Sequence, residues 1–249
     1  MKKSFIATIK RLLEFFGLKL TRTNGDRTIQ GARFKWLKNL RIRSVVDIGA
    51  SKGNSALEFI RLFPGADLYC FEPLPDCFLQ MKKKLSGYPH CHLYNIALSD
   101  SSGPASMHRS SYSGCSSLRE MDDIHKIAFP VTAGQKEEKI TTDTLDHALE
   151  KEHLQGNTLI KIDVQGFEDK VILGGKETIA SAAIIIVETS FVELYKNQPL
   201  FDTVYQLLYE LGFRYAGVWA PELTSPLDGR RLQQDSIFLR QDFYAPRPD

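Results

Sequence analysis

Short apolar runs alternate with amphipathic segments along most of the 249 residues, and no other feature constrains the fold as tightly. The runs at 44–48 (SVVDI), 67–71 (DLYCF), 91–96 (CHLYNI), 158–163 (TLIKID) and 183–188 (AIIIVE) have the length and composition of strands. Between and after them, 54–62, 75–85, 143–151, 168–180 and 200–211 are spaced as helices. Strands separated by helices pair in parallel, because each helix is the crossover that returns the chain to the same end of the sheet. Several of the runs are apolar throughout rather than alternating, as strands covered on both faces are. The pattern predicts an α/β fold. Near the C-terminus, 212–218 and 235–240 read as two strands with no helix between them, hence antiparallel. The Ser- and Gly-rich stretch 99–141 is too long for a plain connection and is expected to be a functional loop with some strand content.

The length suits one large α/β domain, and 43% hydrophobic with 25% charged residues is ordinary for a globular chain. A net charge of +2 gives no global basic field, so no nucleic-acid partner is expected. The charge is uneven, however. Residues 1–23 carry Lys2, Lys3, Lys10, Arg11, Lys19 and Arg22 against Glu14 alone. Residues 3–18 place apolar side chains at 5, 9, 12, 13 and 16, which predicts an amphipathic helix. Such a helix either packs on the main domain or touches an anionic membrane, and both readings stay open. The expected division is therefore 1–27, a basic helix and its linker, and 28–249, the main domain. Four cysteines with no C-x-x-C, no leader-like segment and no apolar window near ~18 residues suggest a cytoplasmic protein, peripheral at most to the inner membrane face. Nothing in the sequence addresses oligomeric state.

The stretch SVVDIGASKGNSALEFI, residues 44–60, runs from a strand through a Gly-containing turn into a helix. It satisfies G-x-S-x-G at Gly49 to Gly53, the pattern of a serine-hydrolase elbow. That chemistry needs a histidine late in the chain, and all six histidines lie at or before His153. A dinucleotide fingerprint, G-x-G-x-x-G, would have Ser51 and Asn54 in its second and third glycine positions, which argues against a nicotinamide oxidoreductase. A nucleotide-like cofactor without a pyrophosphate fits better. Gly49 and Gly53 let the backbone approach it, Asp47 organises the loop or reaches an ammonium group, and Glu72 after the second strand suits a ribose diol.

Further stretches sharpen this reading. They are Asn95-Ile96-Ala97-Leu98-Ser99-Asp100, Gly114-Cys115-Ser116-Ser117-Leu118, Thr144-Leu145-Asp146, residues 159–168 (LIKIDVQGFE), Val187-Glu188 with Phe191, and Gln234-Asp235-Ser236-Ile237-Phe238. With Val46-Asp47-Ile48-Gly49-Ala50 and Phe71-Glu72-Pro73, the set resembles the FkbM-type family of S-adenosylmethionine-dependent methyltransferases over roughly 42–240. The resemblance implies a Rossmann-like fold, a seven-stranded sheet with an antiparallel last strand, and methyl transfer, usually to oxygen on a sugar, glycan or similar metabolite. A fold-sharing protein that binds without catalysing is the alternative.

On this reading Asp47, Gly49, Ala50, Ser51, Gly53, Glu72, Asn95 and Ala97 are the cofactor-binding candidates. Asp163, at the end of the fourth strand, is the first candidate for the group that takes the acceptor's proton. Lys161, two residues earlier and so on the same strand face, and Glu168, at the next helix start, are the other catalytic candidates. Glu188, His108 and His125 are alternatives for the acceptor side, and the 103–120 and 189–198 segments are expected to supply Ser hydroxyls, Tyr112, Phe191 and Tyr195. No metal is expected: no tight Cys/His/Asp cluster occurs, and Gln165 stands where many family members carry Glu.

Overall fold

The computed structural model describes residues 35–219 and 223–244. The chain divides into two compact units, Met1–Asn39 and Leu40–Asp249. The predicted helix at 3–18 lies outside the described residues, and the fold below is that of the second unit. Its strands, in chain order, are β1 (Ile42–Ile48), β2 (Asp67–Phe71), β3 (Cys91–Tyr94), β4 (Ala97–Leu98), β5 (Gly103–Ser110), β6 (Gln135–Asp143), β7 (Asn157–Ile162), β8 (Ile184–Ser190), β9 (Phe213–Val218), β10 (Leu223–Thr224) and β11 (Arg231–Arg240). Its helices are α1 (Asn54–Leu62), α2 (Pro75–Leu85), α3 (Asp123–Ala128), α4 (Leu145–Ala148), α5 (Glu168–Leu173), α6 (Lys176–Ser181), α7 (Phe201–Glu210) and α8 (Gln241–Tyr244).

The main sheet runs β3-β2-β1-β7-β8-β11, with β9 and the short β10 both paired to β11. β3, β2, β1, β7 and β8 are mutually parallel, and β11 is antiparallel to β8 and to β9. The predicted mostly parallel sheet with an antiparallel C-terminal strand is therefore present, and β10 adds an eighth strand. β7, β8 and the core of β1 are buried on both faces, which is why they read as unbroken apolar runs. On one face, Val46, Ile48, Ile160, Ile162, Ile185 and Val187 join Leu145, Val171, Ile179, Val204, Leu208 and Phe238 in one core cluster.

β11 begins at Arg231, four residues before its predicted start, and three elements fall well short of their predicted lengths, each for a local reason. β3 ends at Tyr94 because the Asn95 amide turns to the carbonyls of Glu72 and Pro73 (2.8 and 3.0 Å). The predicted helix at 168–180 is two helices. At the break, a Cβ on Gly174 would lie 2.0 Å from the Ser99 carbonyl oxygen, so only glycine permits that approach. The predicted helix at 143–151 keeps a single turn, capped by the Thr144 hydroxyl. Within that turn, the Asp146 carboxylate accepts from the amides of Glu177 and Thr178 and so caps α6 (3.1 and 2.8 Å).

The stretch 99–141 becomes a second, three-stranded sheet, β4-β6-β5, with residues 111–134 and α3 inserted between β5 and β6. Its serines hold that insertion in shape. Ser110 and Ser111 donate to the carbonyls of Thr132 and Val131 (both 2.7 Å), and Ser116 accepts from the Ser110 amide. These hydroxyls, expected to face an acceptor, are instead committed largely to backbone. Among the described residues, no helix is long and apolar enough to cross a membrane.

Candidate active site

The strand order reverses at β1, which lies between β2 and β7, and ligands of open α/β sheets bind at the carboxyl ends of strands beside such a point. Here the ends of β1 and β7 nearly touch. The Asp163 amide donates to the Ile48 carbonyl (3.0 Å), and a Cβ on Gly49, whose φ is +82°, would lie 1.9 Å from the Asp163 carbonyl oxygen. Gly49 is therefore required twice, by its dihedral and by this approach.

Two clefts meet there. The first encloses about 710 Å³, its open mouth included, between Ile48, Phe71, Leu74, Ile96 and Leu98, with Gly49, Ser51, Glu72 and Ala97 also lining it. Glu72 is buried. Its Oε2 accepts from the Ser51 amide (2.9 Å) and its Oε1 from the Leu74 amide (2.8 Å). A carboxylate has about four acceptor positions, so each oxygen keeps one for a ligand hydroxyl. Burial pushes the Glu72 carboxyl up to about 7 despite those two amides.

The loop's own amides are satisfied internally. Gly49 and Ala50 both donate to the Phe71 carbonyl (3.0 Å each), and Gly53 donates to Ala50 (2.8 Å). The loop thus offers a ligand its shape rather than free N–H groups. Asp47 is 0% exposed and does not line the cleft. Its Oδ2 accepts from the Ser55 hydroxyl (2.5 Å), fixing the start of α1, while its Oδ1 has no partner. Asp47 and Asn95 thus brace the loops from behind.

The second cleft, about 1040 Å³ with its mouth, has carboxyl and amide side chains gathered on its floor. Asp163, Gln165, Glu188, Gln233, Gln234 and Asp235 line its floor, and Tyr112, His125 and Phe129 come from the insertion. Asp163, Gln165 and Gly114 line both clefts. Lys161 donates to Asp163 Oδ2 (2.8 Å), and the Gln165 amide donates to Asp163 Oδ1 and Glu188 Oε2 (2.9 Å each). Gln165 has a φ of +57°, strained for a residue with a side chain. Its Oε1 accepts from the Tyr195 hydroxyl (2.9 Å), which fixes the amide orientation. Glu168 is 1% exposed, and its Oε1 accepts from the amides of Val164 and Gly166 (3.2 and 3.1 Å), holding the turn that presents Gln165.

The charges form one buried network. Burial opposes ionisation of Asp163, but Lys161 and the Gln165 amide outweigh it and hold the carboxyl below its usual range. Burial also opposes the Lys161 charge, and Asp163, Asp47 and Asp235 outweigh it, so its pKa is raised. Glu188 is pushed well up by burial and then by Asp163. Burial carries Glu168 to about 7 and Asp235 to about 6. Among the described residues, no three His, Cys, Asp or Glu side chains converge as metal ligands would.

Of the predicted residues, Gly49, Ser51, Glu72, Ala97 and Asp163 thus line the first cleft, and Asp163, Glu188 and His125 line the second. Lys161 and Glu168 stand behind Asp163 and its turn. His108 lies on β5 opposite Glu137, and Phe191 stacks on Phe201, so neither lines a cleft. Gln165, Gln233 and Asp235 are not among the predicted site residues; the signal for Asp235 is its place in the stretch Gln234-Asp235-Ser236-Ile237-Phe238.

The family model of the methyltransferase FkbM domain matches residues 47–215. The 2-O-methyltransferase NoeI of Sinorhizobium fredii (strain NBRC 101917 / NGR234) is 31% identical over 172 residues, 66% of this chain and 70% of that protein. Among solved structures, EvdMO1 is 13% identical with a TM-score of 0.46, over 88% of this chain and 42% of that one, so this chain spans less than half of its length. The precorrin-6y C5,15-methyltransferase of Geobacter metallireducens GS-15 is 12% identical with a TM-score of 0.41, over 83% of this chain and 84% of that one. With the matched span running from Asp47 past Glu188, the chain belongs to the FkbM family of methyltransferases, and its cofactor is S-adenosylmethionine.

Proposed function

We propose that the chain methylates a hydroxyl oxygen of a sugar or glycan, with the cofactor in the first cleft and the acceptor in the second. The observation that carries this is the meeting of the two clefts at Asp163 and Gln165. The printed activity of NoeI, a 2-O-methyltransferase, supports oxygen as the target. The residues present fit S-adenosylmethionine. Phe71, Leu74, Ile96 and Leu98 make an apolar slot for a purine, and Glu72 keeps acceptor capacity for two ribose hydroxyls. Bound there, the cofactor supplies an electrophilic methyl group.

Asp163 acts on the acceptor side of that group. Lys161 keeps it ionised, and the Gln165 amide fixes its second oxygen. A carboxylate with a low pKa is a weak base toward a resting hydroxyl. It is sufficient here, because the hydroxyl proton becomes strongly acidic as its oxygen gains a third bond. Holding that oxygen in line is the larger contribution. Lys161, Gln165, Tyr195 and Glu168 are positioning residues. Turnover of methyl-labelled cofactor with fractionated glycans and lipids is the test. Label recovered as a base-stable methyl ether on a carbohydrate is expected; label on nitrogen, or in a base-labile ester, overturns the reading.

The basic and apolar residues of positions 2–22 support a second, separable proposal: weak association with anionic membranes, about 1 kcal/mol for each Lys or Arg near the surface. Full-length protein is expected to sediment with acidic liposomes at low salt, and a chain starting at Asp26 to remain free. Equal sedimentation of both removes the proposal.

A further inference from the structure

The second cleft has an unusual charge. Among its described lining residues, Asp163, Glu188 and Asp235 are acidic, and none is Lys or Arg. Of the cations beside it, Lys161 lies behind Asp163 and is 8% exposed, and Arg231 donates to Gln234 Oε1 (3.1 Å). Glu188 on β8 and Asp235 on β11 are direct partners across the antiparallel pair, so both side chains leave the sheet on the same face. Like charges directly opposite destabilise a sheet. Yet neither Asp235 carboxylate oxygen, nor Glu188 Oε1, has a hydrogen-bond partner among the described residues.

From the insertion, His125 on α3 also lines the cleft and is 4% exposed, with its Nδ1 buried and without a hydrogen-bond partner. Phe129 and Tyr195 hold its ring edge-on, with centroids 5.5 and 5.4 Å away. The unclaimed acceptors on the floor call for a ligand that brings hydrogen-bond donors and no negative charge.

Resting on the reading that the acceptor is a carbohydrate, we infer that this cleft selects sugars that are neutral or amino-bearing around the methylated hydroxyl, and rejects acidic ones. The Glu188–Asp235 pair accepts hydrogen bonds from hydroxyl or ammonium groups of the sugar. A uronate or phosphorylated sugar has to bring its negative charge beside Asp163 and Asp235, and such juxtaposition is a standard means of excluding a partner. The aromatic rings of Tyr112 and Phe129 suit the apolar face of a pyranose, whatever its charge.

The test compares three methyl glycosides on the full chain saturated with S-adenosylhomocysteine: methyl glucoside, methyl glucuronide and methyl glucosaminide. Ligand-observed NMR, with affinities from titration, reads the ratio between them. The glucuronide is expected to bind at least about tenfold (about 1.4 kcal/mol) more weakly than the glucoside, and the glucosaminide no more weakly than the glucoside. In a Glu188→Gln, Asp235→Asn double variant the glucoside-to-glucuronide ratio is expected to fall toward one. Both amides keep the shape of the buried carboxyls they replace, so the double variant should melt no lower than wild type; Asp235→Asn alone gives a second measure. Glucuronide binding as tight as glucoside in the wild type, or a ratio unchanged by the variants, overturns the inference while leaving the carbohydrate reading intact. Binding of none of the three glycosides overturns both.

Discussion

The two clefts place their polar groups differently. The proposed cofactor cleft is walled by apolar side chains at the ends of parallel strands, with Glu72 on one side and Asp163 on the other. The proposed acceptor cleft has carboxyl and amide side chains on its floor, Glu188 from β8 and Asp235 from the antiparallel β11 among them. The insertion between β5 and β6 lines both, with Ser113, Gly114, Ser116 and Leu118 in the first and Tyr112, His125 and Phe129 in the second. Asp163 belongs to both, and so it is where changes should separate binding from transfer.

The largest separation is expected at that residue. Asp163→Asn keeps the shape and the hydrogen bond to Lys161, and single-turnover transfer should fall by ~10²–10⁴ while S-adenosylhomocysteine affinity stays near wild type. Equal loss of binding and transfer would place Asp163 on the cofactor side alone. Next comes Glu72. Glu72→Ala removes charge-assisted bonds worth about 1.5–3 kcal/mol, roughly tenfold to a hundredfold in cofactor affinity by calorimetry. At saturating cofactor, acceptor KM should not move. A changed acceptor KM would mean the clefts are less independent than their linings suggest.

Protonation of the same residue gives a smaller effect with a definite sign. The Glu72 carboxyl of the free protein titrates at about 7, above its ordinary 4.5. Ribose hydroxyls bind the ionised form, so cofactor affinity is expected to rise by about tenfold between about pH 6 and pH 8, and to be flat in Glu72→Gln. Without ligand the linkage runs the other way. A raised pKa means that the folded protein holds more protons than the unfolded chain between 4.5 and about 7. The Glu72 contribution to stability is therefore present below 4.5 and lost as pH rises through about 7, and Glu168 and Asp235 act with the same sign. Melting temperatures across this range, with and without S-adenosylhomocysteine, check both directions. The smallest effect is expected at Ser51, whose backbone amide, not its hydroxyl, meets Glu72. Ser51→Ala should change cofactor affinity by no more than about threefold, under 1 kcal/mol, and a fluorophosphonate should label neither protein.

The loop at one side of the first cleft was legible in the sequence, because its parts are contiguous. Residues 44–60 contain the strand, the turn with Gly49 and the helix start, and α1 and α2 begin and end where their spacing predicts. What those residues do was less legible. Asn95, read as a group that meets the cofactor, braces the loop from behind; Asp47 takes the first of its two expected roles and organises the loop, and Gly49 and Ala50 give their amides to Phe71. Glu168, read as a catalytic candidate, holds the 164–166 turn by its amides. A side chain's partner depends on which backbone groups the fold leaves unpaired beside it, and a motif does not contain that information.

By itself, then, the sequence determined the parallel sheet, its helical crossovers and the cofactor loop, since periodicity of two and of 3.6 and the position of a glycine are local properties. Only the tertiary structure decided the acceptor cleft. Asp163, Glu188, Asp235 and His125 lie far apart in the chain, and come together because β11 returns antiparallel beside β8 while the insertion folds over the switch point. Burial in that shared space decides which carboxylates hold a charge, through distances between side chains that no spacing along the chain specifies.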